Sequence, residues 1–292
     1  MSGLVLSQVI QYFLSGATTG SVYALIALGF TIVHSVTGII NFAQGEFVML
    51  GGMVTYLFFR SLHLPLWLAS LFSVATVTLV GLLLERVALR QSHQASVVSL
   101  IMVTIGASIF LRGVAGEIWG KNPLPLPAFS GEKPIVFFGA AIQPQSLWVI
   151  GVMLFFTLLF HLLMSRTLLG KALRACSLNR RAAEITGINV RGMSLLSFGA
   201  AAALGAIGGI VIAPMTLTAY DIGVILGLKG FVAAAMGGLS SQPGAVIGGL
   251  ALGILEAFGA AYLSSAYKDA IALFVFFVFL LARARSLSGS EF

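Results

Sequence analysis

Long stretches without a single Asp, Glu, Lys or Arg constrain this chain more than anything else in it. No charged side chain precedes Glu46, and charge-free runs extend from Ser61 to Leu84, Pro134 to Ser165, Gly192 to Tyr220 and Gly230 to Leu255. Each is long enough to cross a bilayer as a helix, which needs about 20 residues. With 59% hydrophobic and 9% charged residues, where soluble domains carry about 25% charged, the chain reads as an all-α polytopic membrane protein. The net charge of +7 then concerns topology and contact with anionic membrane lipid, and not nucleic acid.

Spans are expected near Val9–Val33, Gly38–Phe59, Leu66–Leu84, Ala95–Val114, Ser146–Met164, Met193–Met215, Val224–Leu239, Gly244–Tyr262 and Ala270–Ala282, so the count is eight or nine. The segment after Val224 carries Lys229 near its start and reads as a candidate for a broken or re-entrant helix. The organisation expected is one permease domain over residues 1–292. A first half covers about 1–115, an outer connection 116–145 and a second half 146–285, with a polar tail at 286–292. The start, MSGLVLSQVIQYF, lacks the basic region of a cleaved signal, so the first apolar segment is expected to stay as a span.

Between the apolar halves lies a polar island, Gly170 to Arg191, holding Lys171, Arg174, Arg180, Arg181 and Arg191 out of the chain's 16 basic residues. Basic loops mark the cytoplasmic side, which puts the island there with Arg86, Arg90, Arg283 and Arg285. With nine crossings the N-terminus is then outside, with eight inside. Asn179 suits a helix N-cap, the residues from Arg180 to Thr186 two short turns, and Gly187 the left-handed position that closes them. A short basic helix in that place is a handle for a cytoplasmic partner; a solvated loop is the competing reading. On the opposite face, Pro123, Pro125, Pro127, Pro134 and Pro144 favour an extended outer connection.

The 34 glycines recur at helical spacing in Gly16 and Gly20, in Gly205, Gly208 and Gly209, and in Gly244, Gly248, Gly249 and Gly253. They let helix backbones approach closely in lipid, and such packing also permits the small shifts a transporter needs. The blocks GIINFAQGEFVMLGG from Gly38 and GLKGFVAAAMGG from Gly227 are loosely alike, which points to an internal duplication with a substrate route between the halves.

Asn41, Gln44 and Glu46 fall inside an expected span, where polar side chains must pair or face water. On a continuous helix Asn41 and Gln44 share a face and Glu46 points away. They are candidates for the substrate pathway, with interhelical hydrogen bonding as the alternative. No nucleophile arrangement or phosphate loop is present; Gly170-Lys171 is followed by Ala172 and lacks the earlier glycine of the ATP-binding loop. One cysteine, Cys176, and four scattered histidines exclude a disulfide framework and give no metal-ligand spacing. The chain is therefore read as non-enzymatic, without catalytic residues, metal or cofactor, and any ATP dependence must come from another subunit.

At these residues the sequence resembles the LivH-type permeases of bacterial branched-chain amino acid importers. The likeness runs through Tyr23–Phe30, Asn41–Glu46, Gly170–Ala175 with Ala182, Ala183 and Gly187–Asn189, then Lys229–Phe231, Gly237-Gly238, Pro243–Ala245, Gly248-Gly249, Glu256 and Tyr267–Asp269. It implies an inner-membrane permease subunit that moves branched-chain amino acids. Its expected partners are two cytoplasmic ATPase subunits, a second homologous permease and a periplasmic substrate-binding protein. It also implies that the island is an ATPase coupling helix, with Arg174, Arg180, Arg181 and Glu184 in polar contacts, Ala182, Ala183 and Ile185 in apolar ones, and Gly187 ending the turn. The chain departs from the family's usual Arg-Pro-x-Gly-Leu ending, having Arg283-Ala284-Arg285-Ser286. Permeases of this architecture for urea, short amides or other amino acids remain alternatives, and an ion-coupled secondary transporter is a more distant one.

Overall fold

The computed structural model describes residues 2–90, 96–131, 133–137 and 139–288. Among them eleven α-helices follow in order: α1 (Ser2–Thr37), α2 (Gln44–Tyr56), α3 (Leu66–Leu83), α4 (Val97–Trp119), α5 (Pro144–Arg166), α6 (Leu168–Leu178), α7 (Arg180–Ile185), α8 (Val190–Thr216), α9 (Ile222–Gly237), α10 (Gln242–Tyr262) and α11 (Lys268–Ser288). Six of them, α1, α3, α4, α5, α8 and α10, are long and apolar enough to cross a membrane. α2 and α9 are shorter, and α11 is the last apolar helix. The segments expected from hydropathy thus correspond to helices of unequal length. Ala95 and residues 289–292 of the expected tail lie outside the described residues, while α11 itself continues through Ser288.

The largest departure from expectation is at Gly38–Phe59. Helix α1 stops at Thr37, Gly38 turns the chain in the left-handed region at φ +72°, and helical structure resumes only at Gln44. A glycine there avoids the steric cost any Cβ would incur. The segment after Val224, read as a candidate for a broken or re-entrant helix, is one continuous helix of 16 residues, α9, too short to span alone.

Helix α1 is the axis of the bundle: 89% of its most apolar window is buried, against 6% for α4 at the periphery. It packs on α10, α8, α9 and α5, so helices from the two halves of the sequence interleave. The α1–α10 contact is made by backbone. A Cβ built on Gly253 would lie 2.3 Å from the Gly20 amide nitrogen, one on Gly249 2.5 Å from that of Ala24, and one on Gly16 2.7 Å from the Cα of Ile254. The same device brings α2 against α8, where Gly209 meets the Val48 carbonyl and Gly51 meets Ala206, and against α9, where Gly45 meets Gly223 and Gly227. Glycines expected to pack at helical spacing do so, except Gly208, around which there is room.

The described residues of the connection at 116–145 are held by side-chain and backbone contacts. Leu124 pairs with Thr218, and a small antiparallel hairpin joins β1 (Ile135–Phe137) to β2 (Ala140–Ile142). Gln145, buried at the start of α5, accepts from the Phe129 amide (3.1 Å) and donates to the Val211 carbonyl (2.7 Å). Gln11 near the start of α1 pairs with Ala141 through both side-chain atoms. The N-terminal end of α1 therefore lies on the same face as this connection.

Gly253→Val is expected to destabilise the chain by about 1–3 kcal/mol, because the added atoms meet backbone that has no rotamer to give. Gly106→Ala in α4, where a Cβ meets nothing within 4 Å, should leave stability unchanged or raised. Thermal unfolding in mild detergent compares the two, and equal midpoints would refute the backbone-contact account.

Candidate functional site

Residues 38–43 form the first element of the site. Non-helical backbone inside a membrane protein needs partners within the protein, and here side chains supply them. The Ile39 amide donates to Thr37 Oγ1 (3.2 Å), the Phe42 amide to Thr104 Oγ1 on α4 (3.1 Å), and the Ala43 amide to Asn41 Oδ1 (3.1 Å). Asn41 thus precedes α2 instead of sharing a helical face with Gln44.

The three polar residues singled out in the sequence are all buried, and each turns to a different neighbour. Asn41 folds onto its own backbone. Gln44 Nε2 donates to the Ala201 carbonyl of α8 at 2.9 Å, about 16 Å from the Val190 end of that helix at 1.5 Å per residue. Glu46 Oε1 accepts from Ser108 Oγ of α4 at 2.8 Å. Each also keeps one buried polar atom without a partner: Asn41 Nδ2, Gln44 Oε1 and Glu46 Oε2. Glycines close the space around them, since a Cβ on Gly29 would meet Gln44 Nε2 at 2.1 Å and one on Gly223 would meet Glu46 Oε2 at 2.7 Å.

A second buried polar centre joins α1, α9, α10 and α11. Lys229 Nζ lies 2.5 Å from Glu256 Oε1 and 2.7 Å from Asp269 Oδ1. Tyr23 donates its hydroxyl hydrogen to Glu256 Oε2 at 2.7 Å, and Lys268 Nζ approaches Oε1 at 3.5 Å. The Lys229 ammonium also stands 5.6 Å from the centre of the Tyr23 ring. From the sequence, Lys229 stood out only as a charge near the start of an apolar segment, and the network was missed. The signal was available: one lysine and one glutamate in separate apolar runs cannot both stay in lipid unpaired.

The third element is the island. Thr167 caps α6 through the Gly170 amide, and Asn179 caps α7 by accepting from the Ala182 amide at 3.0 Å. Gly187 adopts φ +85°, as the left-handed stop requires. The island is anchored by its inner face, where Leu173, Cys176, Ala183 and Val190 pack with Ile32 of α1 and Phe160 and Met164 of α5. Burial pushes the Cys176 thiol up, with Arg180 opposing it. Ala183, expected among the apolar contacts to a partner, is turned inward by this packing. Arg181, Ala182, Glu184 and Gly187 are exposed, Arg180 is half-buried, and Leu178 and Ile185 are each 82% exposed. Arg174 Nη2 donates to the Met164 carbonyl at 3.4 Å.

Glycine-seamed spans, buried polar groups at a helix break and a docked amphipathic segment define a polytopic membrane permease. The chain belongs to the family described as "Branched-chain amino acid transport system / permease component", whose model it matches over residues 12–280. It is 34% identical to the high-affinity branched-chain amino acid transport system permease protein LivH of Escherichia coli K12, over 96% of this chain and 95% of that one. It is 33% identical to BraD, the corresponding permease protein of Pseudomonas aeruginosa, with the same coverage. A more distant relative is the ribose import permease protein RbsC of Haemophilus influenzae, 24% identical over 90% of this chain and 81% of that one.

Glu256→Gln removes the charge that faces a buried ammonium, and is expected to cost about 3–5 kcal/mol. Asp269→Asn, at a carboxylate 65% exposed, should cost less than about 1 kcal/mol. Thermal melts of both variants in detergent test the ranking, and a reversed order would remove Glu256 from the centre of the network.

Proposed function

We propose that this chain is the translocation subunit of an ATP-driven importer of branched-chain amino acids in a bacterial inner membrane. It would work with cytoplasmic ATPase subunits, a second permease and a periplasmic binding protein. The observation that carries the reading is the two-sidedness of α6 and α7. Their inner face is packed into the bundle on α1, α5 and α8, while their outer face presents Leu178, Arg181, Glu184 and Ile185 to the cytoplasm. A push on that outer face has a rigid path into the spans, because packed interiors transmit displacement.

The substrate route is assigned to the break before α2. There Asn41, Gln44 and Glu46 keep unpartnered polar atoms that a passing amino acid's ammonium and carboxylate would satisfy. Glycine contacts at Gly45, Gly51, Gly209 and Gly223 allow α2 to slide between α8 and α9 without opening voids. Movement of the island would bias the bundle between outward and inward access. The first half at 1–115 and the second at 146–285 then move as interleaved parts of one body, with the ordered connection at 116–145 as the external cap.

Arg181→Glu with Ile185→Asp changes the exposed face without touching the packed one. The double variant is expected to lose co-purifying ATPase and to reduce binding-protein-dependent uptake of leucine, isoleucine and valine by at least about tenfold, as for residues central to an interface. Its thermal midpoint in detergent should be unchanged. Full ATPase association and uptake in this variant would overturn the assignment of the coupling surface.

A further inference from the structure

A cavity of about 350 Å³ opens at the cytoplasmic end of the bundle, between α1, α5, α6 and the turn from α9 to α10. The function proposed above does not use it. One wall is apolar, made by Ile32, Val36, Met164 and Leu173; the other carries Ser35, His161, Arg174, Ser177 and Gln242. Among the described residues that line it there is no carboxylate. Arg174 is permanently charged and, with one donor directed to Met164, has most of its N–H groups left for a ligand. His161 adds a ring N–H, and Ser35 and Gln242 add donors of their own, while the Ser177 hydroxyl is already given to the Arg174 carbonyl at 2.8 Å. The electrostatic sense is therefore that of an anion site.

The depth of the cavity says which anion. It sits where the Arg166 end of α5, an apolar helix of 23 residues, meets the basic island, and the end of a span of that length falls at the edge of the hydrocarbon core, beside the headgroups. His161 at its mouth continues an exposed apolar stripe of α5, formed by Leu154, Leu158 and Leu162, which lie at helical spacing on one side of that helix. A phosphate in the cavity and an acyl chain along the stripe would belong to one molecule. We propose that this cavity binds the headgroup phosphate of an anionic phospholipid from the inner leaflet, with Arg174 and His161 as its donors and the leucine stripe under its acyl chain. A free phosphate shares the headgroup chemistry but leaves the stripe uncovered.

The site fastens lipid to the junction of α1, α5 and α6, so it ties the island to the membrane surface as well as to the bundle. The closing experiment is native mass spectrometry of the full chain, purified in mild detergent after exposure to vesicles of phosphatidylglycerol or phosphatidylcholine. The wild-type chain is expected to retain phosphatidylglycerol selectively. His161→Gln with Arg174→Gln should lower that retention by about tenfold, on the scale of losing a charge-assisted hydrogen bond. Ser35→Phe, which fills the cavity and keeps every charge, should lower it as well. Lys171→Gln, in the same island but outside the cavity, should retain lipid as the wild type does. Displacement of the lipid by millimolar inorganic phosphate would locate the recognition in the phosphate group alone. Lipid that resists phosphate yet is lost in the variants would assign the stripe a share. Equal retention of both lipids, or unchanged retention in both cavity variants, would overturn the proposal.

Discussion

Everything in this bundle depends on helices touching through their backbones. In lipid there is no hydrophobic effect to press one apolar helix against another, so contact must be won by close packing and hydrogen bonds. The α1–α10 seam through Gly16, Gly20, Gly249 and Gly253 makes α1 an axis whose central stretch is almost entirely buried. Once α1 is fixed, α8 and α9 have defined places beside it, and α2 fits between them through Gly45, Gly51 and Gly209. The polar groups follow: Gln44 reaches Ala201, and Tyr23 reaches Glu256, because the backbones that carry them are already close.

Charge is distributed by the same logic. The ion pairs inside the bundle are gathered around Lys229 and Glu256, where each charge answers another and Tyr23 completes the shell. Five of the 16 basic residues stand instead in the polar island at 170–191, whose inner side is nevertheless a continuation of the core. An element that belongs to the packed interior on one side and to water on the other is suited to carry force between a soluble partner and the spans.

How much of this could be read from the sequence varies with the range of the interaction. The cap at Asn179 and the stop at Gly187 were legible because each is satisfied within a few residues of itself. The glycine seams were legible as periodicity, though not their pairing, which in the α1–α10 seam joins positions more than 200 residues apart. The helix break at 38–43 was not legible. Its amides are satisfied by Thr37, Asn41 and the distant Thr104, and hydropathy averages such a break away. Ala183 illustrates the limit most simply: its place in a short basic helix was readable, but which side faces the core was set by the buried cluster it joins.

The peripheral position of α4 has a consequence for how the protein is built. That helix buries little of itself, yet its Thr104 and Ser108 hold the Phe42 amide and the Glu46 carboxylate. It is a clasp rather than a beam. When α4 lifts away as a local opening, with the rest of the bundle intact, the amide of Phe42 loses its acceptor and becomes exchangeable before those of α1. The break before α2 thus takes its final shape only when the outermost helix closes over it.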